Sequence, residues 1–255
     1  MDSSKQIIQT TNLLLDIASL LMVSGANTIR VNLNIKRFAD SLGYNASFFI
    51  SQKSLIMTLY REDSSDSCTR VKNIPGLALN FSIISAISKV SWKALQHNWT
   101  LEQIATEIEH IKHVKRYPRL LVLLAVSLAG AGFCNIFKGD YLNMLVSFVS
   151  TFTGLTVLQW THKKNYNVYL RIFIGSFIAS SIAAIGVKLD IGAKPATALA
   201  TSVLYLVPGV PLINSFTDFL DNNIINGLVR FTTGSMMVLA IALGLFISML
   251  IFNLN

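Results

Sequence analysis

Five apolar stretches follow one another in the second half of this chain, at residues 120–137, 141–160, 169–187, 195–213 and 228–252. Each approaches the ~20 residues that an α-helix needs to cross a bilayer. A chain built this way has one ready solution, a bundle of membrane-spanning helices, because only closed hydrogen-bonding patterns survive in lipid. Composition agrees: 52% of the 255 residues are hydrophobic and 13% are charged, against about a quarter charged in ordinary soluble domains. Most acidic residues lie before Tyr117, so the sequence divides into a polar part, residues 1–116, and a membrane part, residues 117–255.

The net charge of +8 does not point to nucleic acid, because the cations flank apolar runs. Lys112, Lys115, Arg116, Arg119, Lys163, Lys164, Arg171 and Arg230 fall on one side of the expected membrane. Lys138, Lys188 and Lys194, with Asp140 and Asp190, fall on the other. The positive-inside rule then puts the N-terminal domain in the cytoplasm and, after five spans, the C-terminus outside. The two cysteines, Cys68 and Cys134, lie in different phases on this reading, so no structural disulfide is expected and their spacing matches no zinc site.

The polar third reads as helix, helix, three strands, helix, helix. Lys5 followed by "LLLDIASLLMVSGA" imitates a secretory signal, but Asp16 interrupts its apolar core. Ile8, Leu15, Ala18 and Met22 follow helical spacing, with Asn12, Asp16 and Ser19 on other faces, which predicts a retained amphipathic helix. Gly25 ends it, and a second helix runs from about Asn27 to Leu42, stopped by Gly43. "ASFFISQKSLIMTLY" predicts two strands around a turn at Ser51 to Ser54, and "CTRVKNI" a third. Helices follow from Leu79 to about His97 and from Thr100, where Thr-Leu-Glu-Gln forms a capping box with Gln103. The expected fold class is therefore an α-helical integral membrane protein of five spans with a small N-terminal cytoplasmic α+β domain.

The fourth span carries the chemistry. "LVPGVPLINSFTDF" sets Pro208 and Pro211 around Gly209, which removes backbone donors and frees carbonyls near the end of the span. Such a break is tolerated at membrane depth where protein or a watery cavity receives those groups. With the helix resuming after Pro211, Asn214, Asp218 and Asn222 align as one polar stripe with Asp221 beside it. Arg230 is the expected counter-charge, and Thr232, Thr233 and Ser235 extend the polarity. In the third span Gly175, Ala179 and Ala183, with Ser176, Ser180 and Ala184, form a narrow face for close helix packing. Broken helices with a charged pair typify the sites of secondary transporters.

"PGVPLINSFTDFLDNNIINGLVR", "SGANTIRVNLNIKRFADSLG" and "LAGAGFCNIFKGD" together resemble the N-terminal half of the threonine/serine exporter family, over nearly the whole chain. The resemblance implies a bacterial inner-membrane carrier that exports small amino acids such as threonine and serine at the expense of the proton gradient. It further implies the split kind, in which a second membrane subunit supplies further spans; one such pair is associated with dicarboxylate (succinate) export. Carried over by position, Pro208, Gly209, Pro211, Asn214, Asp218, Gly227 and Arg230 match the family signature, and Asp140 matches its acidic residue after the first span. With Asp221, all of these but Gly227 form the expected substrate and ion pathway. Asn27 and Asn32 depart from the glutamates that family members often carry there. No cofactor, metal or nucleic acid is expected; the partners are the second subunit, a carboxylate-bearing solute, the bilayer and further copies in a homo- or hetero-oligomer.

Two other classes compete with a carrier. A membrane-tethered hydrolase would use Glu109, His110 and His113, although charged residues at a helix C-terminus are ordinary. A regulatory or scaffold subunit would leave transport to the partner.

Overall fold

The central strand "SLIMTLY" buries Leu55, Met57 and Leu59 on one face, the period of two that a half-buried strand demands. This strand, β2 (Ser54–Tyr60), pairs antiparallel with β1 (Asn45–Ile50) and with β3 (Ser67–Asn73). Phe48 stands opposite Met57, and Thr58 opposite Thr69. Around the sheet are α1 (Asp2–Val23), α2 (Thr28–Ser41), α3 (Phe81–His97) and α4 (Leu101–Lys112), giving the order ααβββαα. The computed structural model describes residues 2–51, 53–62, 66–113 and 117–254. Lys115 and Arg116, two of the charges used to orient the chain, lie outside the described residues.

The described residues form two compact units, one of Met1–Lys115 with Val210–Thr232 and one of Arg116–Gly209 with Thr233–Asn255. The N-terminal unit thus recruits a second segment, which a single cut near residue 116 does not foresee. Its core is built on Leu14, Ile17, Leu21, Phe38, Leu59, Ile84 and Ile104, all fully buried. Helix α1 differs from a simple amphipathic helix, because Ser19, Thr10 and Thr11 are also buried. The two threonines satisfy their hydroxyls on carbonyls one turn back, Gln6 at 2.9 Å and Ile7 at 2.7 Å, which lets polar side chains enter the core. Thr100 and Gln103 make the capping box expected of α4.

The second unit is built from α5 (Arg119–Ile136), α6 (Tyr141–Lys163), α7 (Val168–Lys188), α8 (Pro195–Thr201), a single 3-10 turn (Leu204–Leu206) and the later part of α10 (Ile224–Ile251). Its patterning is inverted relative to a soluble protein. The buried residues of α6 are Asn143, Ser147, Ser150, Thr151, Gly154 and Thr161, whereas Leu142, Leu145, Val149 and Trp160 are exposed. The small face of α7 is buried as a whole and is gripped from two sides. A Cβ on Gly154 of α6 meets the carbonyl oxygen of Gly175 at 2.9 Å, and one on Gly244 of α10 meets that of Phe173 at 2.7 Å.

Among the described residues, five helices are long and apolar enough to cross a membrane: Lys5–Val23, Arg119–Ile136, Tyr141–Lys163, Val168–Lys188 and Ile224–Ile251. This set includes α1, which is packed into the core of the N-terminal unit, and omits the fourth predicted stretch as a single helix. That stretch passes the same test only as two pieces taken together, Pro195–Leu206 and Gly209–Leu220, interrupted at Val207 and Pro208, where the first of the two prolines around Gly209 stands. Helix α8 ends at Thr201, and α9 (Gly209–Leu220) has already begun before Pro211. Pro211 sits in the first turn of α9, where a missing N–H costs nothing.

Because the Gly154 contact is with backbone, Gly154→Val is expected to destabilise the second unit by about 1–3 kcal/mol. Gly132→Val, at a position with open space around it, is expected to leave thermal unfolding in detergent unchanged or slightly improved. Equal melting of the two variants contradicts the packing described.

Candidate functional site

Val210–Thr232 forms a helical hairpin inside the N-terminal unit, from α9 and the first two turns of α10. The connection is tight because Asn222 takes a left-handed conformation, φ 59°, which asparagine tolerates. The two helices approach closely because Gly227 has no side chain; a Cβ there meets the Phe219 ring at 2.7 Å. The Ser215 hydroxyl donates to the Gly227 carbonyl at 2.7 Å. Gly227 and Arg230 are one helical turn apart, so this approach is what aims the arginine.

Asp218 is fully buried and Arg230 is 6% exposed. Asp218 Oδ2 lies 3.0 Å from Arg230 Nη1, yet neither atom completes a hydrogen bond, so the contact is one of charge without an aligned N–H. The other groups of the pair are engaged by the turn between α1 and α2. Asp218 Oδ1 accepts the backbone N–H of Thr28 at 3.1 Å. Arg230 Nη2 donates to the carbonyl of Ala26 at 3.1 Å and meets Met22 Sδ at 3.6 Å. Asn214 Nδ2 donates to the carbonyl of Gly25 at 2.8 Å. Asn226 Nδ2 donates to the Ile50 carbonyl at 2.9 Å and meets the Thr28 hydroxyl at 3.4 Å.

This turn is built to be gripped. Gly25 holds φ 95°, left-handed space that favours glycine, and Asn27 caps α2 by accepting the N–H of Arg30 at 2.9 Å. Thr28 is the first residue of α2, where an N–H has no partner within the helix. Asp218 supplies that partner from α9, placing its negative charge at the positive end of the helix dipole.

Of the residues read from sequence, the structure brings together Asn214, Asp218 and Arg230. It corrects the stripe at Asn222, because α9 ends at Leu220 and Asn222 lies in the following turn. Asp221 lies in the same turn, where its carbonyl accepts Asn223 Nδ2 at 3.3 Å. Pro208 and Gly209 belong to the other unit. Gly25, Ala26, Thr28 and Asn226 were not predicted as site residues. For the first three the signal was the segment "SGANT", legible as a helix start but not as a receptor for a residue 190 positions away; Asn226 stood beside Gly227 in the quoted signature without being singled out.

Asp140, in the second unit, does separate work. Its Oδ1 accepts the Asn143 N–H and its Oδ2 the Ala193 N–H, both at 2.9 Å. Asn143 in turn accepts the Lys194 N–H at 3.0 Å and donates to the Ile191 carbonyl at 2.8 Å. The loop after α5 and the loop after α7 are clasped together, with Gly192 at φ 83° packed on both side chains. The backbone N–H of Asn143, then that of Ala193, holds the Asp140 carboxyl below the ordinary aspartate range. The remaining cluster is engaged locally. Glu109 pairs with Lys112, and His113 Nδ1 meets the Glu109 carbonyl at 2.8 Å. No three His, Cys, Asp or Glu side chains converge as metal ligands among the described residues.

Two outcomes follow. Asp218→Ala strands a buried guanidinium and is expected to cost about 3–5 kcal/mol, whereas Asp218→Leu combined with Arg230→Met costs less than either single change. Additive losses in thermal unfolding contradict the pairing. A carboxylate lowered by folding stabilises fully above its unfolded value, and that contribution is lost as pH falls through the folded one. Asp140→Asn is therefore expected to melt below the unaltered chain at neutral pH, with the difference closing as pH falls below the ordinary aspartate range. A gap that does not narrow in acid contradicts the clasp.

The family model ThrE, described as "Putative threonine/serine exporter", matches residues 12–252. The chain is 26% identical to "Probable succinate transporter subunit YjjP" of Klebsiella aerogenes over 247 residues, 96% of this chain and 95% of that one. The protein of the same name from Escherichia coli K12 gives the same identity and coverage. The "Threonine/serine exporter" of Corynebacterium glutamicum is 22% identical over 236 residues, 89% of this chain but 48% of that protein. No solved structure matches. With the family model covering nearly its whole length, this chain belongs to the threonine/serine exporter family, a family of transporters.

Proposed function

We propose that this chain is one subunit of a two-component, proton-coupled secondary transporter of the bacterial inner membrane, exporting small carboxylate-bearing amino acids such as threonine and serine. The observation that carries the reading is the buried Asp218–Arg230 pair, set just after a broken helical stretch in a chain of an exporter family. An arginine fixed by a carbonyl on one side and a carboxylate on the other suits a zwitterion, whose two charges match the two groups. Asn214 and Asn226 position the turn that completes the site. Pro208, Gly209 and Pro211 allow the chain to leave one helix and enter the next, and Asp221 lies in the turn that closes the hairpin. Asp140 acts as the clasp between loops.

Inverted patterning of the second unit supports insertion in a bilayer, since polar side chains turn inward and apolar ones outward. The distribution of lysine and arginine supports a cytoplasmic N-terminal unit and an external C-terminus. A second subunit is supported by the relatives named as transporter subunits, which this chain matches over 95% of their length. The same names favour a second reading, in which the solute is a dicarboxylate such as succinate.

Vesicles containing this chain, with and without its candidate partner, are loaded with labelled threonine and succinate and placed under a pH gradient. Efflux that requires both chains, and that Asp218→Asn abolishes without loss of protein from the membrane, is expected. Threonine efflux favours the first reading and succinate efflux the second. Undiminished efflux by Asp218→Asn removes that residue from the pathway.

A further inference from the structure

Arg230 and the start of α2 form a receptor for a carboxylate, and in this structure the carboxylate belongs to the protein. The guanidinium is almost wholly buried, and its Nη1 makes no hydrogen bond. The Thr28 N–H points at the same acid from the other side. Both donors are held in place independently of Asp218. Arg230 is tethered through Nη2 to the Ala26 carbonyl, and Thr28 is set by the Asn27 cap and the Asn226 contact. Oδ2 of Asp218 likewise completes no hydrogen bond although it is buried. A carboxylate with one oxygen unmet, facing a guanidinium with one nitrogen unmet, is a loose fit in a place where unmet polar groups are costly.

We propose that the α1–α2 turn is part of the solute site, and that a solute carboxylate takes the Thr28 amide and Arg230 Nη1 by displacing Asp218. This rests on the proposed function and adds to it a binding element in the N-terminal α+β unit. Two acceptors compete for one pair of donors. The empty carrier is closed by its own side chain, so no charge is left unpaired in the buried site while it waits. Binding frees Asp218, the residue that then meets the ammonium of an amino acid. Among the described residues, Arg230 of α10 is the charged side chain that meets Asp218; α2 presents an amide and Asn226 of α10 is neutral.

Thr28→Pro isolates the amide. Proline is accommodated at the first position of a helix, and Asn27 already has the extended conformation, φ −74° and ψ 164°, that a following proline requires. Because Asp218 uses the same amide in the empty chain, the amide is tested where that competing carboxylate is gone: equilibrium binding of labelled threonine and of labelled succinate to the full chain in membranes is compared for Asp218→Asn alone and combined with Thr28→Pro or Thr28→Ala. In that background Thr28→Pro is expected to weaken succinate binding about tenfold, the size of one hydrogen bond to a charged group, and Thr28→Ala, which keeps the N–H, to weaken it less than about threefold. In the unaltered protein, the infrared carboxylate band assigned through Asp218→Asn is expected to shift when solute is added, a measurement that needs no proline variant. Succinate binding by Asp218→Asn that Thr28→Pro leaves unchanged, or an Asp218 band of the unaltered protein unmoved by a solute that binds, overturns the inference and leaves the proposed function standing. A chain that binds neither solute, alone or with its partner, removes both.

Discussion

The pairing of Asp218 with Arg230 is the interaction on which the N-terminal unit depends. Neither charge tolerates burial alone, and each is also tied to a different atom of the same short turn: Thr28 N–H for the aspartate, Ala26 carbonyl for the arginine. The ion pair therefore fastens a distant stretch of chain onto the α1–α2 turn. Remove it, and the hairpin formed by α9 and the start of α10 loses much of what holds it to that turn.

Several otherwise unrelated residues acquire a reason from this constraint. Gly25 lets the turn reverse, Gly227 lets α10 come close to α9, and Asn222 closes the hairpin. Asn214 and Asn226 donate to the carbonyls of Gly25 and Ile50, main-chain acceptors that burial requires to be met. The second unit follows a different logic. Its helices meet through glycine, alanine and serine, the close-packing solution expected where lipid offers no hydrophobic drive to association.

Helix and strand periods made most of the fold legible. The alternation of Leu55, Met57 and Leu59 and the capping box at Thr100 are local signals, and the structure follows them. The charged pair was legible too, because an arginine and an aspartate at the ends of apolar runs call for each other. The α1–α2 turn as a receptor was not, since no local pattern links Thr28 to Asp218. The break before α9 was legible in Pro208, which stands in it, whereas Pro211 occupies a first turn. Ser19 and the two threonines of α1 entered the core against hydropathy, the threonines through bonds to their own helix.

The most direct test of this account is an experimental structure of the chain with its partner, determined with threonine or succinate present. A solute carboxylate is expected within hydrogen-bonding distance of Arg230 and the Thr28 amide, with Asp218 displaced from both. A bound solute elsewhere, with the Asp218–Arg230 pair intact, contradicts it.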